Sequence, residues 1–276
     1  MLNMGEGGVA VITGAAGGIG LGMSRAAAER GMAVVMCDLD DDRVAASAAA
    51  LRSDGFRTVP RTLDVTDAAA FEAVAADTMD QFGRVDVVCN NAGIAGVNPI
   101  HEVTLEEWHA VINVDLNSVF YGVRAFLPIM MEQEFGHLNA TASANAWRGD
   151  AFQAAYNAAK HGVAALMESV LLDLRAIESP VTASVLSPGP IATDLMLRSV
   201  GDDEEARAEG HEALNQGMDL DKVGRITLDA IDAGRFWIFT HEAIFPTIRE
   251  RLEAALTSGE LPPDLDWDWE ELFATS

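Results

Sequence analysis

Short apolar runs alternate along the chain with longer alanine-rich stretches. The runs are continuously apolar, which predicts strands of a parallel sheet whose two faces are both covered by helices. The intervening stretches, such as 18–30, 67–82 and 104–127, are long enough for crossover helices. This order predicts one doubly wound α/β domain over residues 1–276, with a parallel seven-stranded sheet and helices on both faces. Strands are predicted at 9–13, 33–38, 58–64, 85–89, 138–142, 181–186 and 236–239.

The boundaries of the later segments follow from local signals. Thr104 and Glu107 have the spacing of a capping box at the start of the fourth helix. A charged, glycine-containing break at 198–220 predicts an excursion over the surface, with a lid at about 194–220. The segment of about 241–276 is a C-terminal extension, and we expect its acidic and tryptophan-containing end to be loosely attached.

The charge balance restricts the partners. With 18 basic and 43 acidic side chains the net charge is −25, and about half of it lies in residues 202–276. Such a surface repels phosphate backbones and anionic lipids, so we expect neither nucleic acid nor membrane partners. The uncharged stretch 7–24 is rich in glycine, which favours a loop over a membrane span. No basic side chain precedes Arg25, which argues against a signal peptide.

Cysteine and histidine usage indicates neither a disulfide framework nor a metal site. Cys37 and Cys89 both lie in apolar runs and are interpreted as buried hydrophobic side chains. We therefore expect a reducing, cytoplasmic location. The six histidines are scattered, and His161 is interpreted as a packed helix residue, so no metal is expected.

The segment "TGAAGGIG" at 13–20 follows the first strand and opens a helix. Gly14 would permit the tight turn, Gly18 the approach of a pyrophosphate and Gly20 the close packing of the helix. The helix N-terminus would supply N–H groups and positive dipole to an anion. A purely structural strand-to-helix turn remains the alternative interpretation.

Acidic residues follow the next two strands. A carboxylate at Asp38 can accept hydrogen bonds from both adenosine ribose hydroxyls and would repel a 2′-phosphate, which favours NAD over NADP. The alternative is that Asp38 caps the following helix. Asp64 and Val65 come after the third strand, where they could meet the adenine edge, although aspartate is also common in turns.

"YNAAK" at 156–160 contains one of only two tyrosines and one of only two lysines in the chain. Tyr156 and Lys160 share one helix face at this spacing. A phenol has a pKa near ~10, and a fixed ammonium beside it favours the phenolate needed for acid-base chemistry near neutrality. Ser143, after the fifth strand, could hold a substrate oxygen, and Asn113 is polar within an apolar helical stripe. Singly, Ser143 could be a turn residue and Asn113 a solvated one.

Taken in order, these residues make the sequence resemble the short-chain dehydrogenase/reductase family from about residue 8 to residue 197. The resemblance rests on "TGAAGGIG", Asp38, "NNAG" at 90–93, "YNAAK" and "SPGPIATDL" from Ser187. It implies a Rossmann domain. It also implies that Tyr156 is the general acid-base, that Ser143 polarises the substrate oxygen and that Lys160 binds ribose and tunes Tyr156.

The resemblance implies further contacts as well. Asn113 would hold a proton-relay water, Asn90 would fix the fourth strand, and Ile191 and Thr193 would contact the nicotinamide carboxamide. The cofactor-binding residues that it implies are Gly14, Gly18, Ile19, Gly20, Asp38, Asp64, Val65, Asn90, Ala92, Tyr156, Lys160, Pro188, Ile191 and Thr193.

The expected function is therefore NAD-dependent interconversion of a secondary alcohol and a ketone by hydride transfer. Trp147 and Phe152 favour an apolar, cyclic or aromatic small-molecule substrate, although packing is an equal explanation for Trp147. The predicted substrate residues are Ala144, Trp147, Phe152 and Gln153, with Gly96, Val97 and Leu195 to Arg198 as further candidates.

The C-terminal sequence departs from the family pattern, which leaves the substrate pocket and the geometry of the assembly open. Many members of the family end in a strand and a VDGG-like turn, whereas "GRFWIFTHEAIFPTIRERL" stands here and resembles the longer form of some bulky-alcohol or aryl-alcohol dehydrogenases. We expect a homotetramer, with a homodimer next. The rival functions are an NAD(H)-binding regulatory protein without turnover, and an epimerase or dehydratase that retains the hydride.

Overall fold

The computed structural model describes residues 2–193, 195, 216–259, 261 and 267–275. Within them a parallel seven-stranded sheet has the order β3-β2-β1-β4-β5-β6-β7, with helices on both faces, which confirms the predicted fold class. The strands are β1 (Val9–Thr13), β2 (Ala33–Asp38), β3 (Thr58–Thr62), β4 (Val87–Asn90), β5 (His137–Thr141), β6 (Thr182–Ser187) and β7 (Trp237–Phe239).

The helices of the described ranges fill the crossovers between the strands and form the C-terminal extension. The fourth crossover contains two α-helices joined by a π-helical turn, Asn113–Asn117. The helices are α1 (Gly18–Glu29), α2 (Asp41–Ser53), α3 (Ala68–Phe82), α4 (Leu105–Ile112), α5 (Ser118–Gln133), α6 (Ala154–Ala176), α7 (Leu220–Asp232), α8 (Phe245–Thr257) and α9 (Trp269–Ala274).

The sheet reverses its winding between β1 and β4. The chain moves outward from β1 through β2 to β3, and then returns to place β4 on the other side of β1. The connections diverge at this switch point, which leaves a crevice at the carboxyl ends of the strands. The strands, predicted within two residues at each end, therefore position a binding site without any further domain.

A hydrophobic core lies on each face of the sheet, as the continuous apolarity of the strands predicted. Phe71, Phe126 and Leu138 are fully buried on one face, and Met36 and Leu51 on the other. Burying each such side chain stabilises the fold by about 1.5–3 kcal/mol. Covered on both sides, the sheet is a rigid platform for the residues at its carboxyl edge.

Two local predictions are confirmed. Thr104 caps α4: its Oγ1 accepts a hydrogen bond of 3.1 Å from the N–H of Glu107, whose carboxylate accepts one of 2.8 Å from the N–H of Thr104. Cys37 and Cys89 are free and fully buried, and burial raises the pKa of each thiol to about 12. Both cysteines are therefore unreactive packing residues.

The C-terminal extension differs from the prediction. Its end was expected to be loosely attached, but α9 packs on the body of the protein, with Leu272 and Trp267 only 1% and 5% exposed. Most of the predicted lid, at 194 and 196–215, lies outside the described residues. None of the helices in the described part of the chain is long and apolar enough to cross a membrane.

Candidate active site

A cavity of about 770 Å³ lies at the carboxyl edge of the sheet, across the switch point. Residues that end or follow six of the strands line it, which is the arrangement expected of a ligand site in a doubly wound fold. These residues are Gly14, Asp38, Asp64, Asn91, Ser143 and Pro188.

The glycine turn forms one end of the cavity. Gly14 follows β1 with a φ of +66°, and a Cβ on Gly20 would lie 2.2 Å from the carbonyl oxygen of Gly14. Glycine is thus required both for the turn and for the close packing of α1 against it. No side chain caps the first turn of α1, and Gly17, Gly18 and Ile19 line the cavity. The positive end of α1 therefore faces a space where a phosphate group fits.

Asp38 stands beside this turn. Its Oδ2 accepts a hydrogen bond of 3.0 Å from the N–H of Ala16, and the carboxylate lines the cavity. The N-cap of α2 is Asp40, which accepts a hydrogen bond from the N–H of Arg43, so Asp38 is not the cap of that helix. Arg43 also lines the cavity, and a Cβ on Gly17 would be 3.1 Å from its guanidinium. The sequence analysis did not include Arg43.

The "NNAG" segment contributes its second asparagine to the site. The Nδ2 of Asn91 donates to the carbonyl oxygen of Thr13 at 3.1 Å, and its Oδ1 accepts from the hydroxyl of Thr141 at 3.0 Å. The N–H groups of Asn91 and Ala92 both donate to the hydroxyl of Thr13. These bonds tie the ends of β1, β4 and β5 together and hold Ala92 in the cavity wall.

Asn90, predicted to be a cofactor residue, lies elsewhere. It is 3% exposed and packs against α5, where a Cβ on Gly122 would be 1.9 Å from its Oδ1. It is the last residue of β4, so its side chain points to the opposite face from that of Asn91. Asp64 and Val65 do line the cavity, and Asp64 accepts two hydrogen bonds from Thr66 at the start of the next crossover.

Ser143 and Tyr156 meet at the centre of the cavity. Ser143 follows β5 and caps a short 3₁₀ turn by accepting a hydrogen bond of 3.1 Å from the N–H of Asn145, while its side chain is also hydrogen-bonded to Tyr156. Lys160 follows one turn later on α6, with its Nζ 5.4 Å from the centroid of the Tyr156 ring. The structure thus brings three of the four predicted catalytic residues together.

Burial raises the pKa of Tyr156, while the ammonium of Lys160 and the hydrogen bond from Ser143 act in the opposite direction. A nearby carboxylate, Asp115, raises this pKa further because it repels a phenolate. The protein alone therefore keeps Tyr156 protonated. The phenolate needs an additional positive charge in the cavity.

Asp115 is the fourth member of the cluster. It is fully buried in the π-helical turn, its Oδ2 lies 2.9 Å from the Nζ of Lys160, and its Oδ1 accepts a hydrogen bond of 2.8 Å from the N–H of Ile94. Burial raises the pKa of Asp115, and Lys160 opposes the shift. Burial lowers the pKa of Lys160, but the charges of Asp115 and Tyr156 outweigh it and raise that pKa overall. Lys160 also donates to the carbonyl oxygen of Thr141 at 3.1 Å.

The structure places Asp115, and not the predicted Asn113, in this cluster. Asn113 is exposed, and its Oδ1 accepts a hydrogen bond of 2.8 Å from Asn117. Two residues along a helix lie on nearly opposite faces, so only one of the pair can point inward. The sequence carried a signal for Asp115, because this residue lies on the same helical stripe as Val111 and Val119, which are both buried.

Two of the four predicted substrate residues do not line the cavity. Trp147 packs against Trp237 and Phe239, with ring centroids 4.8 and 5.5 Å away, and its Nε1 donates to Ser187 at 3.1 Å. Phe152 is 59% exposed and borders a separate cavity of about 400 Å³ next to Ile100. The other two predicted substrate residues, Ala144 and Gln153, line the main cavity, and so does Val97.

Instead, the C-terminal extension supplies the aromatic lining. Ile244, at the start of α8, lines the cavity together with four residues of the last segment. The chain end was not expected to reach the site, but its apolar residues fall on the face that meets the cavity. These four residues are Trp267, Trp269, Leu272 and Phe273.

The segment after β6 closes the side between the two ends of the cavity. Pro188, Ile191 and Thr193 line it, as predicted, and the carbonyl oxygen of Pro188 accepts a hydrogen bond of 2.8 Å from the N–H of Ala144. Of the further lid candidates, Leu195 lines the cavity, and 196–198 lie outside the described residues.

Comparison with known proteins places this geometry among related chains. A family model described as short chain dehydrogenase matches residues 8–205. The chain is 35% identical over 262 residues to a 1-deoxy-11-beta-hydroxypentalenate dehydrogenase of Streptomyces exfoliatus, covering 92% of this chain and 90% of the relative. It is 31% identical to a D-beta-hydroxybutyrate dehydrogenase of Cupriavidus necator, over 86% of each chain.

The fold comparison agrees with the sequence comparison. A crystal structure of a short chain dehydrogenase/reductase from Burkholderia phymatum in complex with NAD superposes with a TM-score of 0.90 at 30% identity. The superposition covers 96% of this chain and 100% of that one.

Proposed function

The chain belongs to the short-chain dehydrogenase/reductase family, and from that premise we propose that it is an NAD-dependent oxidoreductase that interconverts a secondary alcohol and a ketone. The observation that carries the proposal is the cluster of Ser143, Tyr156 and Lys160 in the same cavity as the glycine turn. A protein that only bound a nucleotide would need the turn and Asp38, and would have no use for this cluster.

The lining residues fit a dinucleotide. The uncapped N-terminus of α1 offers N–H groups to a pyrophosphate, and Asp38 offers acceptors to a ribose at the neighbouring strand end. Among the residues that the structure describes, a Cβ on Gly18 would meet only Thr193 within 4 Å, so these residues leave the backbone of α1 open to a close ligand. Bound NAD⁺ would supply the hydride acceptor and a positive charge.

Tyr156 performs the proton transfer in this proposal. With the substrate hydroxyl between Ser143 and Tyr156, the phenolate of Tyr156 takes the hydroxyl proton as the carbinol C–H bond breaks and the C=O bond forms. In the reverse direction the phenol gives this proton to the ketone oxygen. Ser143 holds the same oxygen in both directions, so proton transfer needs no movement of the backbone.

The ammonium of Lys160 is held by two neighbouring groups. Asp115 and the carbonyl oxygen of Thr141 hold its ammonium, which leaves one N–H for the nicotinamide ribose. Its charge opposes the effects of burial and of Asp115 on the pKa of Tyr156. The positive charge of NAD⁺, when bound, would add to that of Lys160 and favour the phenolate of Tyr156.

We propose NAD rather than NADP as the cofactor. The Asp38 carboxylate lies at the end of β2 and would repel a 2′-phosphate. Arg43, on the other side of the turn near Gly17, is placed to neutralise the pyrophosphate.

We also propose that the enzyme acts in the cytoplasm as a homotetramer, or failing that a homodimer. The free state of Cys37 and Cys89 fits a reducing compartment. Phe120 and Met131 on α5 and Leu172 on α6 are 50%, 42% and 55% exposed. Large apolar side chains in these positions favour burial against a second copy of the chain.

The experiment that tests the catalytic proposal uses the two tyrosines of the chain as a matched pair. The protein, its Tyr156→Phe variant and its Tyr121→Phe variant would each be given NAD⁺ and a panel of aryl, alicyclic, steroidal and short aliphatic secondary alcohols, with NADH followed by absorbance. Loss of the general base should lower kcat about 10²–10⁴-fold for Tyr156→Phe, whereas Tyr121→Phe should retain the activity of the parent.

The binding of NADH, measured by fluorescence, serves as the control for folding. Full turnover by Tyr156→Phe would contradict the proposed acid-base role. NADH binding by the parent protein with no turnover across the panel would favour the regulatory alternative.

A further inference from the structure

The C-terminal segment forms one wall of the cavity, next to the catalytic serine. Its four lining residues, Trp267, Trp269, Leu272 and Phe273, are here called the C-terminal wall. Within this wall Trp267 and Leu272 join a buried cluster with Ala144, the residue that follows Ser143. The wall therefore belongs to the substrate end of the cavity and not to the glycine-turn end.

Two residues of the C-terminal wall are anchors. Trp267 is 5% exposed and lies under the guanidinium of Arg148, whose carbon is 4.3 Å from the ring centroid. Arg148 is itself buried and paired with Asp150. A buried cation over a tryptophan ring is a stabilising contact, because the face of the ring is negative and water does not compete for the charge. Together with Leu272, which is 1% exposed, it fixes the segment on the body of the protein.

The other two residues present their rings to the cavity. Trp269 is 46% exposed although it lines the cavity, and its ring is stacked on that of Phe273 with centroids 5.9 Å apart and an interplanar angle of 27°. The anchors hold this pair in place, so its open aromatic surface is prepared before any ligand arrives. An apolar ring that covered this surface would gain the free energy of removing it from water.

The remaining lining of this end contains no cation placed for an acidic substrate among the described residues. Ala144, Ile94, Val97 and Ile244 are apolar, and the ionised group beside them is the carboxylate of Asp150. Arg148, the partner of Asp150, is buried against the ring of Trp267 and is therefore not available as a separate anion site. A carboxylate on the substrate would thus meet apolar side chains and an aspartate that is already paired, and would find no partner of opposite charge among them.

We propose that the C-terminal wall determines specificity by binding the ring system of an uncharged aryl or alicyclic secondary alcohol, with the carbinol carbon at Tyr156. This inference rests on the proposed dehydrogenase function and specifies its substrate class. It also distinguishes this chain from both relatives named above, because the substrates in their names, a hydroxypentalenate and a hydroxybutyrate, are acids.

The test compares Trp269→Ala with Leu256→Ala, a control whose leucine is 87% exposed on α8 and does not line the cavity. The probes are 1-(2-naphthyl)ethanol, 2-butanol and 3-hydroxybutyrate with NAD⁺. We expect Trp269→Ala to lower kcat/KM for the naphthyl alcohol about 10- to 100-fold, mainly through KM, and to change that for 2-butanol less than about 2-fold. Leu256→Ala should match the parent on both alcohols, and the parent should prefer either of them to 3-hydroxybutyrate.

A binding measurement separates this inference from the catalytic proposal. In the Tyr156→Phe background, the Kd of 2-acetylnaphthalene in the presence of NADH should rise about 10-fold or more on adding Trp269→Ala, and that of 2-butanone should stay constant. Equal losses for large and small ligands, or a parent enzyme that prefers 3-hydroxybutyrate, would overturn the inference while leaving hydride transfer intact. Suppose instead that Trp269→Ala weakens the binding of 2-acetylnaphthalene but not of 2-butanone, and that Tyr156→Phe still turns over alcohols. Only the catalytic role of Tyr156 would then be overturned.

Discussion

At the scale of single residues, the candidate site is a small group of buried side chains, some of which are charged. Lys160 is the cation nearest to the phenol, and Asp115 lies 2.9 Å from it on the other side. A carboxylate this close offsets much of the field that an ammonium would exert on a phenolate. Besides burial and the hydrogen bond with Ser143, the pKa of Tyr156 therefore depends on the opposing charges of Lys160 and Asp115.

Asp115→Asn tests this dependence. The amide keeps the size of the side chain and can still accept the N–H of Ile94, but it removes the negative charge that raises the pKa of Tyr156. Oxidation needs the phenolate, so kcat/KM rises with pH through the pKa of Tyr156. The variant should therefore show this rise at lower pH than the parent protein.

The measurement for Asp115→Asn is a pH profile of kcat/KM with a saturating cofactor. The matched control is Asn113→Asp, which places a new carboxylate two residues away on the exposed face and should leave the profile in place. An unchanged profile for Asp115→Asn, or a shift to higher pH, would contradict the role given to Asp115.

The proposed preference for NAD over NADP depends on Asp38 in an equally local way. Asp38→Ala removes the acceptors for the adenosine ribose and the charge that repels a 2′-phosphate, while Arg43 remains nearby. We expect kcat/KM with NAD⁺ to fall about 10- to 100-fold and that with NADP⁺ to rise about 10-fold. A parallel loss with both cofactors would show that Asp38 only supports the glycine turn through Ala16.

At the scale of elements, the strands hold together by more than backbone pairing. His137 at the start of β5 is hydrogen-bonded through its two ring nitrogens to Thr182 and Ser184 of β6, at 2.8 and 2.7 Å. Burial lowers the pKa of His137 to about 3. This histidine is therefore a neutral link between two central strands.

A depressed histidine pKa makes stability depend on pH. Between its usual value of 6.5 and about 3, the unfolded chain binds a proton at His137 that the native protein does not, so stability falls as the pH falls through this window. His137→Gln retains hydrogen-bonding groups but cannot titrate. The loss of unfolding free energy between pH 7 and pH 5 should be smaller in this variant by about 2 kcal/mol, measured by urea unfolding. Identical losses in the two proteins would contradict the buried neutral state.

Element boundaries show why the sequence revealed the sheet more fully than the site. Continuous apolar runs are a strong and local signal, and β1 and β2 begin and end at the predicted residues. Asp115 was missed for a different reason: its only signal is that it shares a helical stripe with the buried Val111 and Val119, and that signal is weaker than a continuous apolar run. The glycine turn after β1 and Asp38 at the end of β2 were predictable, because the ends of these two strands fix where both lie.

At the scale of the whole molecule, contacts between distant segments decided what the sequence could not. Trp147 was free in the sequence to face the substrate, but β7 brings Trp237 beside it and removes it from the cavity. Conversely, Trp267 is held at the site by Arg148, which is 119 positions earlier in the chain but places its guanidinium over the Trp267 ring. Neither pairing has a spacing that a single sequence could reveal.

We propose that one wall of the cavity binds a dinucleotide and another binds an apolar alcohol, with Tyr156 between them. In the proposed reaction a hydride passes from the carbinol carbon to the nicotinamide, while the proton of the substrate hydroxyl passes to Tyr156. An epimerase or dehydratase using the same side chains would return the hydride to its substrate.

The most direct test uses a secondary alcohol labelled with deuterium at the carbinol carbon, taken from the class that the enzyme turns over. Mass spectrometry after incubation with NAD⁺ should find one deuterium in the NADH for each ketone formed. Deuterium retained in the substrate or product, or released to water with no labelled NADH, would contradict the account.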